Sequence, residues 1–200
     1  MRQRLEGLLI GAVIALGACG SDNGKGGTAG SGGAAGSGGG GAGAAGNGGA
    51  GAAGSGGAGA GMACNSLTND APAVALRAMQ GSVPAATGGA VADGTYKITG
   101  AVIYGLSGVP DGPIMNTDPV RGKLQIMGDV AQTVSKAGSD PEERSTGHFR
   151  IMGTQIVSTE TCPGTKMETQ PFDANPTTIV LQQAITIEGT SATLVVTYSK

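Results

Sequence analysis

The chain has 200 residues, 40 of them glycine, with no tryptophan, three tyrosines, two phenylalanines and a formal net charge of −2. Twenty-two glycines and eleven alanines occupy the 42 positions from Gly20 to Gly61, so the remainder suffices for one hydrophobic core and not for two. The charge excludes a basic nucleic-acid footprint, and no apolar run reaches the roughly 18 residues that a membrane-spanning helix needs.

Residues 1–18 carry the three parts of a secretory signal. Arg2 and Arg4 give a positive start, Leu8 to Leu16 is apolar apart from Gly11, and the segment ends in Leu16-Gly17-Ala18 before Cys19. That ending resembles a bacterial lipobox. The resemblance implies cleavage before Cys19 and diacylation of its thiol. It therefore implies a membrane partner held through acyl chains on Cys19, since two or more chains anchor stably where one does not. The expected location is the cell envelope. Gly20, standing where an Asp would retain a lipoprotein in the inner membrane, favours the outer membrane. The alternative is an ordinary signal peptide, for which Leu16 is a poor residue three places before the cut.

Residues 19–61 form the lipidated cysteine and a Gly/Ala-rich tether. Almost no side chain there is large enough to bury, so the segment is expected to remain disordered. A Gly-rich coil of this length spans about 36 Å r.m.s.. Gly20-Ser-Asp-Asn-Gly-Lys25 lacks both the spacing and the Ser or Thr of a phosphate-binding loop.

Residues 62–93 contain Pro72, Pro84, Gly81, Gly88 and Gly89 and are expected to form an arm, with Ala73 to Gln80 as a short helical turn. Residues 94–200 change to a period of two, the signature of half-buried strands. Tyr96, Ile98, Gly100, Val102 and Tyr104 share one phase. Leu124 and Ile126 share another, and Val130 and Val134 flank Gln132. Phe149, Ile151 and Gly153 follow, with a slip near Ile156-Val157 that suggests a bulge. Lys166 to Phe172 is a weaker run. Ile179, Leu181, Ile185 and Ile187 share a phase interrupted by Gln183, and Leu194, Val196 and Tyr198 share the last. Glu188-Gly189-Thr190-Ser191 between them predicts a hairpin turn. The class is all-β: an antiparallel meander of six to eight strands, as a small barrel or a sandwich, with the barrel preferred because closure removes sheet edges. Such a barrel is either filled by Val, Ile and Leu or keeps a modest cavity.

Cys64 and Cys162 are the two cysteines left with this domain. Beyond a secretory signal the compartment is oxidising, so the pair reads as a disulfide. Two free thiols or ligands of a metal are the alternative, for which one histidine offers few further ligands. Cys64-Asn65-Ser66-Leu67, Pro84 to Gly89, Asp93 to Thr99, Thr159 to Pro163 and the ending Val196 to Lys200 together resemble small lipoproteins and secreted β-domains of myxobacteria. That likeness brings no activity with it. Gly94-Thr95-Tyr96 is similar to the Gly-x-Trp opening of lipocalins, with Tyr for Trp, which implies a barrel carrying a small apolar ligand.

Catalytic candidates are sparse. His148 is the only histidine, and no Gly-x-Ser-x-Gly elbow accompanies it in the domain. Its alternation with Phe149 and Ile151 places it outward on a strand. Asp140, Glu142 and Glu143 lie in a polar loop that matches no calcium-loop spacing. Asp111, Asp118 and Asp129 stand beside Gly or Pro, where Asp makes turns. Arg121, Lys123, Arg144 and Arg150 form a small basic area without an aromatic platform. The expectation is a non-enzymatic domain without cofactor or metal that binds an envelope protein or serves envelope structure. Its sharper alternative is a lipocalin-like carrier with Ile98 and Val102 facing inward, and the remaining alternative is a hydrolase using His148.

Overall fold

Residues 64–187 and 189–200 are described in the computed structural model. The signal segment, Cys19 and the tether lie outside the described residues. Ten strands follow in order: β1 Arg77–Met79, β2 Gly94–Tyr104, β3 Gly112–Pro113, β4 Val120–Met127, β5 Val130–Ala137, β6 Glu143–Met152, β7 Gln155–Cys162, β8 Lys166–Asn175, β9 Thr178–Ile187 and β10 Thr190–Ser199. Eight of them, β2 and β4 through β10, form an antiparallel meander in which each strand pairs with the next and β10 returns to β2. The all-β class and the preference for a barrel both hold.

Alternation explains most of the core. Leu124 and Ile126 on β4, Ile179 on β9, and Leu194, Val196 and Tyr198 on β10 are buried in one cluster with Tyr96 and Ile98 of β2. Burying an aliphatic side chain of this size contributes about 1.5–3 kcal/mol. The weaker run is the full strand β8.

Three expectations need correction. First, the inward phase of β2 does not run through Val102. Tyr198 pairs with Ile98 but Thr197 pairs with Gly100, so Thr99 is an extra residue. A bulge of one residue reverses the faces beyond it. Ala101 and Ile103 are therefore buried, while Val102 and Tyr104 are only half-buried. Second, the irregularity of β7 lies at Thr161 and not at Ile156-Val157. Thr146 pairs with Cys162 and Gly147 with Glu160, whereas Ile156 and Val157 stay in register with Ile151 and Arg150. The phase was lost because Ile156, Val157 and Ser158 are all buried. Third, Ala73 to Gln80 is extended and not helical. Val74 exchanges both backbone hydrogen bonds with Val120, and β1 runs parallel to β2 from Arg77↔Val102 to Met79↔Tyr104.

The arm is a belt on the barrel wall. It starts at Cys64, bonded to Cys162 of β7 with Cα atoms 5.4 Å apart, and Thr146 of β6 donates to the Cys64 carbonyl at 2.8 Å. Asn65 donates to the carbonyls of Thr133 and Ser145, and Arg144 Nη1 donates to the Leu67 carbonyl at 2.6 Å. Asp70 then takes Lys123 of β4 at 2.5 Å and Lys97 of β2 at 3.4 Å. These two lysines, Lys123 first, hold the Asp70 carboxyl below its ordinary range. Lys123 and Arg144 are the cross-strand partners of Val134. That explains why Val134 is fully buried although its neighbours Thr133 and Ser135 are buried too: the belt covers it from outside. After β1 the belt reaches β9, where Gln182 donates to the Pro84 carbonyl, and then β8, where Gly88 bonds Phe172 and Ala174. Gly89 passes so close to β8 that a Cβ there would sit 2.1 Å from the Ala174 carbonyl oxygen.

Two seams of the meander are short. β2 and β4 pair only from Gly94↔Ile126 to Lys97↔Lys123, and the strand β1 occupies the edge of β2 beyond that point. β8 and β9 pair only from Phe172↔Leu181 to Asn175↔Thr178. Among the described residues no strand fills the seam between Lys166–Pro171 and Gln182–Ile187.

Candidate site in the barrel interior

The barrel keeps a cavity in which the centre of a water-sized sphere has about 50 Å³ to move. That is room for a few waters or a small organic group. Its apolar wall comes from Leu124, Ile126, Ala131, Phe149, Ile156, Ile179, Leu181 and Val196, with Val91 of the arm. Five polar side chains line the same space: Thr133 of β5, Ser158 of β7, Gln170 of β8, Gln183 of β9 and Tyr198 of β10. Thr133 shares a hydrogen bond of 2.7 Å with Ser145. The side chains of Ser158, Gln170, Gln183 and Tyr198 make no hydrogen bond among the described residues. Ser158 and Tyr198 are buried, and Gln170 and Gln183 half-buried; buried polar groups are ordinarily paired, so these unengaged side chains around one cavity are a feature of the site. Burial pushes the Tyr198 phenol well above its ordinary range, and it stays protonated as a donor. Gln170 and Gln183 stand on β8 and β9 just beyond the point where the ladder between these strands stops.

Glu160 lies on the same buried phase of β7 but is not part of the cavity wall. It sits two residues after Ser158 on the buried phase of β7 and is 1% exposed. Neither carboxyl oxygen has a partner. Its cross-strand neighbour on β6 is Gly147, where the backbones of β6 and β7 come close. A Cβ at Gly147 would lie 2.9 Å from the Glu160 Cα and 2.5 Å from the Thr159 carbonyl oxygen. On β8 its neighbour is Lys166, whose ammonium is held instead by Glu168 at 2.5 Å. Burial raises the Glu160 carboxyl, Lys166 lowers it by a smaller amount, and Glu168 raises it again.

A carboxyl whose folded pKa is raised favours folding most below the ordinary Glu range, and that contribution is lost as pH rises through the raised value. Glu160→Gln removes the ionisation and keeps the shape. At pH 7.5 the variant should be more stable than the parent by about 1–3 kcal/mol, the penalty of an unpaired buried group. At pH 4 the difference should shrink towards zero. Chemical denaturation at the two pH values checks this, and a Gln variant less stable at neutral pH would show that Glu160 has a stabilising partner.

The other sequence candidates fall outside this cavity. His148 is on the outward phase of β6 with an exposed ring, and its Nδ1 lies 3.0 Å from Asp129 Oδ2. That contact, more than any other influence, holds the Asp129 carboxyl below its ordinary range. No hydroxyl joins the pair among the described residues. Glu142 is bonded to Arg144 at 2.8 Å. Lys123 and Arg144 of the expected basic area are engaged by the arm. Ile98 is buried in the core as expected. Cys64 and Cys162 form the expected disulfide. Glu160, Ser158, Gln170 and Gln183 escaped sequence reasoning, and the signal for Gln183 was present as the interruption in the β9 phase. No protein-family model, curated protein or solved structure matches the chain.

Proposed function

We propose that this is a lipid-anchored envelope protein whose β-barrel acts by binding and not by turnover, taking a small ligand into its interior. The observation that carries the reading is the cavity: a largely apolar wall with four unengaged hydrogen-bonding side chains directed at one space. Ligand sites have this composition, apolar walls with a few converging polar groups. An export address supports the anchoring half of the reading, since Leu16-Gly17-Ala18-Cys19 precedes the tether and the Cys64–Cys162 bond suits an oxidising compartment. The outer membrane is the proposed address, on Gly20. Catalysis by His148 finds little support, because its ring faces outward beside Asp129 with no nucleophile at hand.

Two measurements test the two halves. Intact-mass analysis of the exported protein should find Cys19 acylated and amino-terminal, and Cys19→Ser should release the protein from membranes. An unmodified Cys19 would overturn the anchor. For the interior, a small environment-sensitive apolar dye should saturate at a stoichiometry near one, and Ala131→Phe, which fills the cavity, should weaken it at least tenfold. Binding insensitive to Ala131→Phe would place the dye elsewhere and remove the carrier reading.

A further inference from the structure

We infer that the ligand of the barrel interior is an uncharged molecule with a carbonyl head, and that Tyr198 donates the hydrogen bond that receives the head. Tyr198 and Ser158 are each 2% exposed, and neither hydroxyl has a partner among the described residues. Their oxygens nonetheless keep accessible surface, which the unpartnered carboxyl oxygens of Glu160 do not. Both residues line the cavity, so that surface faces the cavity. Two hydroxyls, from β7 and β10, are thus held inside the barrel with no protein group to bond.

The chemistry of the wall sets the class. Among the described residues no Asp, Glu, Lys, Arg or His lines the cavity. A charged ligand would leave water and find no counter-charge, a far more costly transfer than that of a neutral polar group. A wholly apolar ligand would suit Leu124, Ile126, Ile156 and Val196, but it would shut the hydroxyls away from water unpaired. An uncharged ligand with a hydrogen-bonding head meets both demands. Burial pushes the Tyr198 phenol well above its ordinary range, so the hydroxyl keeps its proton and can donate it to a hydrogen bond. A carbonyl oxygen accepts that bond, and a ketone brings no donor that needs a partner of its own. Gln170 and Gln183, half-buried on the same wall, each carry donors and an acceptor. They therefore accommodate an amide N–H beside the carbonyl as well.

This inference rests on the reading of the interior as a binding site, and the test separates the two. Cyclopentanone, cyclopentane, cyclopentylamine and cyclopentanecarboxylate share one ring and differ in the head. Each is titrated calorimetrically at pH 7.5 into the full chain carrying Cys19→Ser, and into the same chain with Tyr198→Phe added. Cyclopentanone should saturate at a stoichiometry near one, and the ammonium and the carboxylate should bind at least tenfold more weakly. Tyr198→Phe should weaken cyclopentanone about fivefold, the size of one net hydrogen bond, and leave cyclopentane unchanged or tighter. Cyclopentane is the internal control for an intact cavity in the variant. Cyclopentanone binding that ignores Tyr198→Phe would overturn the role of Tyr198, and an ion bound as tightly as cyclopentanone would overturn the uncharged class. In either case saturable cyclopentane binding leaves the interior-binding reading standing. Saturable binding of none of the four would overturn both.

Discussion

Replacing Cys64 and Cys162 by serine in the full chain should lower stability by about 4–5 kcal/mol, the loop-closure value for a crosslink of this span. The bond joins residues 98 positions apart, so the unfolded chain loses much freedom when it is present. A domain of this size moves its thermal midpoint by roughly 3–5 °C per kcal/mol, which places the expected fall at about 12–25 °C. The folded state should respond as well. Cys64 is the fixed end of the belt, and the next contacts are hydrogen bonds and ion pairs of Asn65, Leu67 and Asp70 with the barrel wall. Exposed ion pairs of the Asp70 kind contribute little on their own. Without the disulfide the belt should fray from its start as far as the Val74–Val120 bridge. Amide exchange should therefore rise first at Val134 and its β6 neighbours, which the belt covers, and only later on β10. A midpoint within about 3 °C of the parent, or uniform exchange around the barrel, would show that the belt holds without its anchor.

The strands were legible because a barrel with one wet face writes its period into the sequence. Tyr96 and Ile98, Leu124 and Ile126, and Leu194 to Tyr198 alternate with polar residues, and the inward set follows from that alone. Legibility ended where a third layer covers the outer face. Val134 is apolar and buried on the outward phase, between Lys123 and Arg144, which the arm engages, and the sequence carries no sign of that cover. Val102 failed for another reason: a one-residue bulge is invisible in a run of Gly, Ala and Val, none of which marks a face. The candidate site was the least legible part. Ser158, Glu160, Gln170 and Gln183 break the expected pattern of apolar residues inside, and a polar residue on a strand reads by default as solvent-facing. That default fails where a cavity supplies what solvent would otherwise supply.

Tyr198→Ala should cost about 3–5 kcal/mol, the range for removing a large buried aromatic side chain, whereas Tyr198→Phe should be neutral or slightly stabilising. The contrast follows from position. Tyr198 lies on β10 where the barrel closes, paired with Ile98 on one side and Ile179 on the other, and it is 2% exposed. Truncation to Ala removes packing on both sides of that seam next to the Thr99 bulge, where few backbone bonds compensate. The hydroxyl contributes no such support, since it has no hydrogen bond among the described residues and points at the cavity. Removing an unpaired buried polar atom relieves its desolvation penalty. Urea denaturation of both variants measures the two costs, and a Phe variant destabilised by more than about 1 kcal/mol would reveal a hydroxyl partner. The same pair of variants bears on function. If the hydroxyl is kept for a ligand, Tyr198→Phe should gain or hold stability while losing affinity for ligands that accept a hydrogen bond. A site residue and a packing residue are told apart by this combination, because a residue retained only for packing would move stability and binding in the same direction.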